Sequence, residues 1–283
     1  MTVRIRELGL YPVKGCRGLQ PRSALLAPTG LASDADGAGA IGDREWVIVD
    51  QNGRFVSQRE HPRMALIETT LTATHLRMKA PGMLLLEVPF ASEGNVLEVQ
   101  VWNDRVAAVT QGEVADAWVS SFLGLPARLM RFDAEARRHS NLTYTAPLVA
   151  PYKFADAFAV LVTNQASLED LNRRLGSTGA APATMARFRP NLVLEGLPAY
   201  EEDYIKMLHI GPVTLRVVKR CARCTVPGVD PVTGVASTAV PDALATYRRT
   251  NDGVMFGVNA IVVEGAGNSL RAGTPVEIEL DLP

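Results

Sequence analysis

The chain has 283 residues, 47% of them apolar and 21% charged, enough apolar surface to offset its ordering entropy and exclude wholesale disorder. Its 29 basic and 30 acidic residues leave a net charge of −1, so no global field draws it to nucleic acid or an anionic membrane. The odd count of three cysteines does not suit a disulfide framework and points to a reduced compartment.

At ~150 residues per domain the length suits two domains. The start, Met1-Thr-Val-Arg-Ile-Arg-Glu, reaches charge at once and has no signal-peptide core. No run nears the roughly 18–20 apolar residues of a spanning helix. A cytoplasmic protein is the expectation.

The first 110 residues read as short strands. One begins at Val3 and Ile5; others cover 46–49, 54–57, 65–71, 76–79, 84–88 and 96–101. Asn52-Gly53 lies between the second and third, and that dipeptide tolerates the positive φ of a tight hairpin. A helix is predicted over 114–123, because Ala115, Trp118, Val119 and Phe122 repeat on one face. A second is predicted over 168–175, capped by Ser167 and stopped by Gly176, and a third over 242–249 with Pro241 in its first turn. Strands are predicted at 127–132, 159–163, 192–195, 213–218, 256–263 and 276–280. The polar stretch from His139 to Tyr152 reads as a connection or a lid. The fold class expected is mainly β with a few helices (α+β): a β-rich N-terminal domain over 1–120 packed with a β-barrel-like domain over 121–283.

The most unusual local feature is Lys219-Arg-Cys-Ala-Arg-Cys224, placed after a strand and before a turn-rich loop ending at Gly234. Structural zinc would need four ligands, and the third cysteine and the histidines are scattered. A redox pair would open a helix, which Pro227 opposes. Two inert cysteines at a strand end are the plainest alternative. Against that, Lys219, Arg220 and Arg223 suit a nucleophilic or metal-ligating thiolate. Arg189-Pro-Asn191 sets a rigid proline between a guanidinium and a carboxamide, and arginine can fork two donors onto phosphate or carboxylate. Lys14, in a Gly-containing turn, offers a point charge beside backbone that an anion can approach.

In order, these residues resemble the MOSC family of molybdenum-cofactor proteins in its two-part form. Tyr11-Pro-Val-Lys-Gly-Cys-Arg-Gly18 resembles the opening motif of the MOSC N-terminal domain. Asp43-Arg-Glu-Trp-Val-Ile-Val-Asp50 with Gly53-Arg-Phe-Val-Ser-Gln-Arg59 and Pro62-Arg63 resembles its second. Ser167-Leu-Glu-Asp-Leu-Asn172, Phe188-Arg-Pro-Asn191, Cys221-Ala-Arg-Cys224 with Asp230-Pro-Val-Thr-Gly234, Phe256-Gly257 and Gly273-Thr-Pro-Val276 resemble MOSC-domain motifs. In the amidoxime-reducing members, molybdenum is held by a pterin dithiolene and one protein cysteine. The resemblance puts that ligand, the catalytic centre, on Cys224, with Cys221 as a neighbour. It puts the cofactor anchors on Lys14, Gly15, Arg44, Asp156, Arg189 and Asn191. Gly15 stands where relatives often carry Ser, Ala157-Phe158 lack hydroxyls found there, and the tail Ala272-Gly-Thr-Pro275 lacks a usual Gly-Asp.

The implied function is a molybdenum-cofactor-dependent oxidoreductase reducing N-hydroxylated compounds, hydroxylamines or amidoximes, to amines or amidines. It would draw electrons from a separate protein: a flavoprotein, ferredoxin or haem protein. The alternative is a cofactor carrier or sulfur-transfer module; the absence of a pyridoxal-phosphate desulfurase segment favours the reductase.

Overall fold

A computed structural model describes residues 2–33 and 40–281 of the chain. Its largest element is an eight-stranded sheet that draws on both ends of the sequence. The order runs Arg4–Leu8, Leu192–Glu195, Val160–Asn164, Gly253–Glu264, Val213–Arg223, Ile205–Ile210 and Glu277–Leu280, with Arg249–Thr250 paired beside Gly253–Glu264. Only Val160–Asn164 and Leu192–Glu195 run parallel.

Backbone bonds then close this sheet on itself. Ile5 N donates to Thr274 O at 3.0 Å and Val276 N to Val3 O at 2.9 Å. That segment runs directly into the last strand, so the first strand meets the last and no edge is left open there. Alternate side chains point inward, and Ile5, Leu8, Val162, Leu194, Leu208, Leu215 and Val258 belong to a buried apolar interior. Three register shifts between Val213–Arg223 and Gly253–Glu264 bend the longest pair, as bulges do where a sheet curls. Gly257 (φ 75°) lies where a Cβ would come within 2.6 Å of Val162 O, so only glycine fits.

A four-stranded antiparallel sheet follows the order Trp46–Asp50, Ala127–Phe132, Asp104–Thr110, Val96–Val101. Helix α1 (Glu113–Leu123) lies in the same region, and Ala115, Trp118, Val119 and Phe122 are buried as their spacing predicts. Two three-stranded sheets complete the β structure: Glu68–Leu71, His75–Lys79, Leu86–Pro89, and Ser269–Arg271, Ser23–Ala27, Gly30–Ala32. The fold is mainly β with a few helices. Its two parts are interleaved: the first strand belongs to the barrel, and Ser23–Ala27 pairs with the late strand Ser269–Arg271.

Several predicted elements differ in extent. Residues 54–57 form only isolated bridges, Val49 with Phe55 and Arg54 with Gln100, because the chain leaves the sheet after Phe55 to line a cavity. The predicted strand at 65–71 begins only at Glu68, since Pro62 opens a 3₁₀ turn over Pro62–Leu66. Leu84 and Leu85 are exposed and precede the strand Leu86–Pro89. Helix α2 (Leu142–Thr145) interrupts the stretch 139–152.

Helix α3 runs Gln165–Ser177, and Asn164, not Ser167, is its cap. Ser167 is buried instead, accepting from Tyr200 N and donating to Glu202 Oε2, both at 2.8 Å. The chain turns left-handed at Gly179, past the predicted stop. Helix α4 is Ala239–Ala245, earlier than predicted, because Arg249 already belongs to a strand.

Candidate functional site

A cavity of about 370 Å³ lies between the two β-rich parts, and all seven predicted site residues line it: Lys14, Gly15, Arg44, Asp156, Arg189, Asn191 and Cys224. Seven basic side chains contribute to its wall, against one carboxylate, Asp156.

Lys14 enters from the turn after Val13, where its amide donates to Trp46 O at 2.8 Å. Gly15 follows with φ 80°, and a Cβ there would come within 2.7 Å of Met64 Cε. The glycine therefore lets the turn press against Met64 where a serine would crowd. Lys14 is buried, and its ammonium donates to Phe154 O at 2.8 Å and Asp156 Oδ1 at 2.6 Å. Trp102 Nε1 donates to the same Asp156 oxygen at 2.9 Å. Burial lowers the Lys14 pKa, although Asp156 opposes it. For Asp156, desolvation acts upward, but the Lys14 charge and hydrogen bond, with the Trp102 bond, hold the carboxyl well below its usual range.

Two guanidiniums face each other across Tyr11. The centres of Arg44 and Arg189 lie 4.3 and 4.4 Å from its ring centroid, within cation–π range. Arg44 is ion-paired with buried Asp43 and donates to Arg189 O at 3.0 Å. Arg189 donates through Nη1 to Cys16 O at 2.5 Å, while its Nη2 is buried with no partner. Burial, then the nearby Arg44 charge, bring the Arg189 pKa down to about 10, which still leaves a cation at neutral pH.

The backbone here is strained. Arg44 (φ 49°), Trp102 (φ 58°) and Arg189 (φ 56°) are left-handed, and Tyr200 is the fourth such non-glycine among the described residues. Each costs about 1–2 kcal/mol relative to an ordinary conformation. Three of the four line this cavity, so surrounding structure holds them where side-chain direction matters.

Asn191 lines the cavity and also holds backbone around it. Its Oδ1 accepts from Leu161 N at 3.0 Å and its Nδ2 donates to Gly9 O at 3.1 Å. The carboxamide thus ties three strands together and fixes the turn that presents Arg189.

The cysteine segment is more strand than loop. Val213–Arg223 runs through Cys221, and a 3₁₀ turn, Val226–Gly228, follows. Arg223 staples this end down, with Nη1 donating to Cys221 Sγ at 3.2 Å and Nη2 to Phe188 O at 2.8 Å. Cys221 is half-buried and engaged; Cys224, just past the strand, is exposed. Cys16 is buried outside the cavity lining, and burial pushes its thiol up to about 12. Among the described residues no group of three or more His, Cys, Asp or Glu side chains could hold a metal by itself.

Tyr11 and Trp102 carry much of this geometry, and the sequence reasoning assigned neither a role. Trp102 lies in the two-residue turn between Val96–Val101 and Asp104–Thr110. Recognising Asp104–Thr110 as a strand would have put Trp102 at a hairpin tip.

Comparison with known proteins agrees with this architecture. Residues 2–126 match the family described as the MOSC N-terminal beta barrel domain, and residues 150–277 match the MOSC domain. The chain therefore belongs to the MOSC family, in its two-part form. It is 31% identical over 286 residues to mitochondrial amidoxime reducing component 2 of Bos taurus, spanning 96% of this chain and 82% of that protein. Against mitochondrial amidoxime-reducing component 1 of Homo sapiens the identity is 32% over 286 residues, with the same coverage. No helix among the described residues is long and apolar enough to cross a membrane.

Proposed function

We propose that the chain is a molybdenum-cofactor oxidoreductase that reduces N-hydroxylated compounds to amines or amidines. The observation that carries this is the meeting of one exposed thiol, Cys224, with a strongly cationic wall in a single cavity. The donor set fits a pterin-bound metal in three respects. A metal here would take one protein ligand and bring the rest with it, since no cluster of protein ligands stands by. A thiolate suits sulfur-rich coordination. Buried Arg189 Nη2 and Arg223 Nε have no protein acceptor, as expected of a wall shaped for an anionic guest.

Cys224 would be the metal ligand, and Lys14, Arg44 and Arg189 would hold the terminal phosphate. Lys14 spends two of its three protons on Phe154 O and Asp156, leaving one for the anion. Both protein donors to Asp156 use Oδ1, so Oδ2 remains to accept a pterin N–H. Gly15 lets the backbone approach closely, and Asn191 positions Arg189. When bound, the cofactor supplies the two-electron chemistry that breaks the N–O bond. Overall, N–OH with two electrons and two protons gives N–H and water, the electrons coming from a separate flavoprotein, ferredoxin or haem protein.

The test is expression in a cofactor-competent host, elemental analysis for molybdenum, and reduction of a model amidoxime with an artificial donor. About one molybdenum per chain and turnover are expected, both lost in Cys224→Ala. Activity retained in the metal-free variant would sink the mechanism.

A further inference from the structure

Seven cations line the main cavity, and the proposed cofactor contacts use only some of them. Lys14, Arg44 and Arg189 serve the phosphate in that reading, and Arg223 ties its strand to Phe188 O. Arg59, Lys219 and Arg220 are left over. Lys219 Nζ donates to Tyr144 OH at 2.9 Å and Arg59 Nε to Ser57 Oγ at 3.2 Å, bonds that neutralise no charge. The Arg220 side chain has no partner among the described residues, and none of the three has an ion-pair partner there.

The local backbone explains why two sequence neighbours share this wall. Successive strand residues ordinarily point to opposite faces. Register shifts between Val217 and Lys219 and between Arg220 and Ala222 break that alternation, as bulges do. Lys219 and Arg220 therefore both line the cavity. Arg59 comes from the other β-rich part and lies over the Trp102 ring at 4.4 Å. Arg59 and Arg220 are exposed, as is Cys224, whereas Lys14 is buried. The leftover cations thus mark the mouth of the cavity, where the thiol also lies.

Like charges gathered without a counter-ion repel one another. The N–OH group of an amidoxime is uncharged at neutral pH and relieves none of this. A carboxylate elsewhere on the same molecule does, because guanidinium and ammonium groups both donate to oxyanions. We infer that the mouth selects N-hydroxylated substrates that also carry an oxyanion substituent, held by Arg220 and Lys219 with Arg59 adding charge from the other part. The reaction is that of the proposed reductase, on which this inference rests; the charge preference belongs to the cavity wall and is measurable by binding alone.

The test compares para-carboxybenzamidoxime with para-carbamoylbenzamidoxime, nearly the same shape without the charge, on the purified holoenzyme. Calorimetry without an electron donor gives both Kd values, and turnover with an artificial donor gives both kcat/KM values. The carboxylate should bind about tenfold tighter and be favoured by a similar factor in kcat/KM. Added salt should narrow the gap by screening exposed charges. Arg220→Gln should cut the ratio of the two Kd values about threefold, and Arg220→Gln combined with Lys219→Gln should abolish the preference. A variant that is merely loosened weakens both compounds together and leaves their ratio alone. Equal affinity for the two compounds in the wild type, or a ratio unchanged in the double variant, would overturn the inference. A carboxylate preference in binding with no turnover of either compound would sink the reductase reading and leave the oxyanion contact standing.

Discussion

The two walls of the main cavity treat their cations in opposite ways. On the N-terminal side Lys14 has Asp156 and Phe154 O, and Arg44 has Asp43 and Arg189 O. On the other side Arg189 and Arg223 each keep a buried nitrogen with no acceptor, as does Arg187 just behind them. Buried donors without an acceptor are unfavourable, so the second wall is the less well satisfied within the protein. The contrast separates cations braced by carboxylates and carbonyls of the protein from cations that keep a donor to spare.

The strongest break is at the thiol. Cys224→Ala is expected to remove all molybdenum and all reductase turnover while moving the thermal midpoint by no more than about 2 °C, because the side chain is exposed and unpaired. A large drop in midpoint would recast Cys224 as structural.

Next come the two arginines around Tyr11. Arg44→Met strands Asp43, 3% exposed, as a buried charge, and is expected to cost about 3 kcal/mol of unfolding free energy. Arg189→Met strands no carboxylate, so in cofactor-free protein it should cost about 1 kcal/mol at most, the scale of one hydrogen bond. Denaturant unfolding measures both, and equal losses would erase the distinction between the walls.

The Lys14–Asp156 pair gives a smaller, pH-dependent effect. The folded Asp156 pKa lies below the unfolded value of about 3.9. The pair's stabilisation is therefore full above that value and is lost as pH falls through the depressed folded one. Asp156→Asn should flatten the fall in stability below about pH 4, read by thermal unfolding across an acid series. Lys14 contributes with the opposite sign. Its lowered pKa is a cost at neutral pH that is relieved as pH rises through the folded value.

The mildest probe is Trp102→Phe. It keeps a ring beside Phe55 and Arg59 and removes only the indole donor to Asp156, an expected loss of about 1 kcal/mol or less. The same acid series should show a shallower limb than wild type.

The cavity's chemistry could be read from short motifs because its charges occupy fixed turns: Lys14 before a glycine, Arg189 before a proline, Cys224 at a strand end. Helix α1 was readable because its buried face repeats at the helical period. Sequence could not show that Asn191 spends its carboxamide on backbone, since that depends on Gly9 and Leu161 from distant segments. Nor could it show Arg44 and Arg189 in left-handed backbone, which local preference disfavours and tertiary contacts impose. Ser167 looks like a helix cap in sequence, and only the folded position of Glu202 and Tyr200 takes it into the interior.

The closure of the barrel also sets an order of events. Strand Arg4–Leu8 is made long before its partners, Leu192–Glu195 and the segment 273–276. Ile5 and Leu8 therefore lack their strand partners until residues 192–195 and then 273–276 have been made, and contacts of such separation slow folding. Lys14, six residues beyond that strand, reaches Asp156 only once both partners exist. The cavity, lined from residue 14 to residue 259, is thus built from segments that meet only after long stretches of intervening chain have been made.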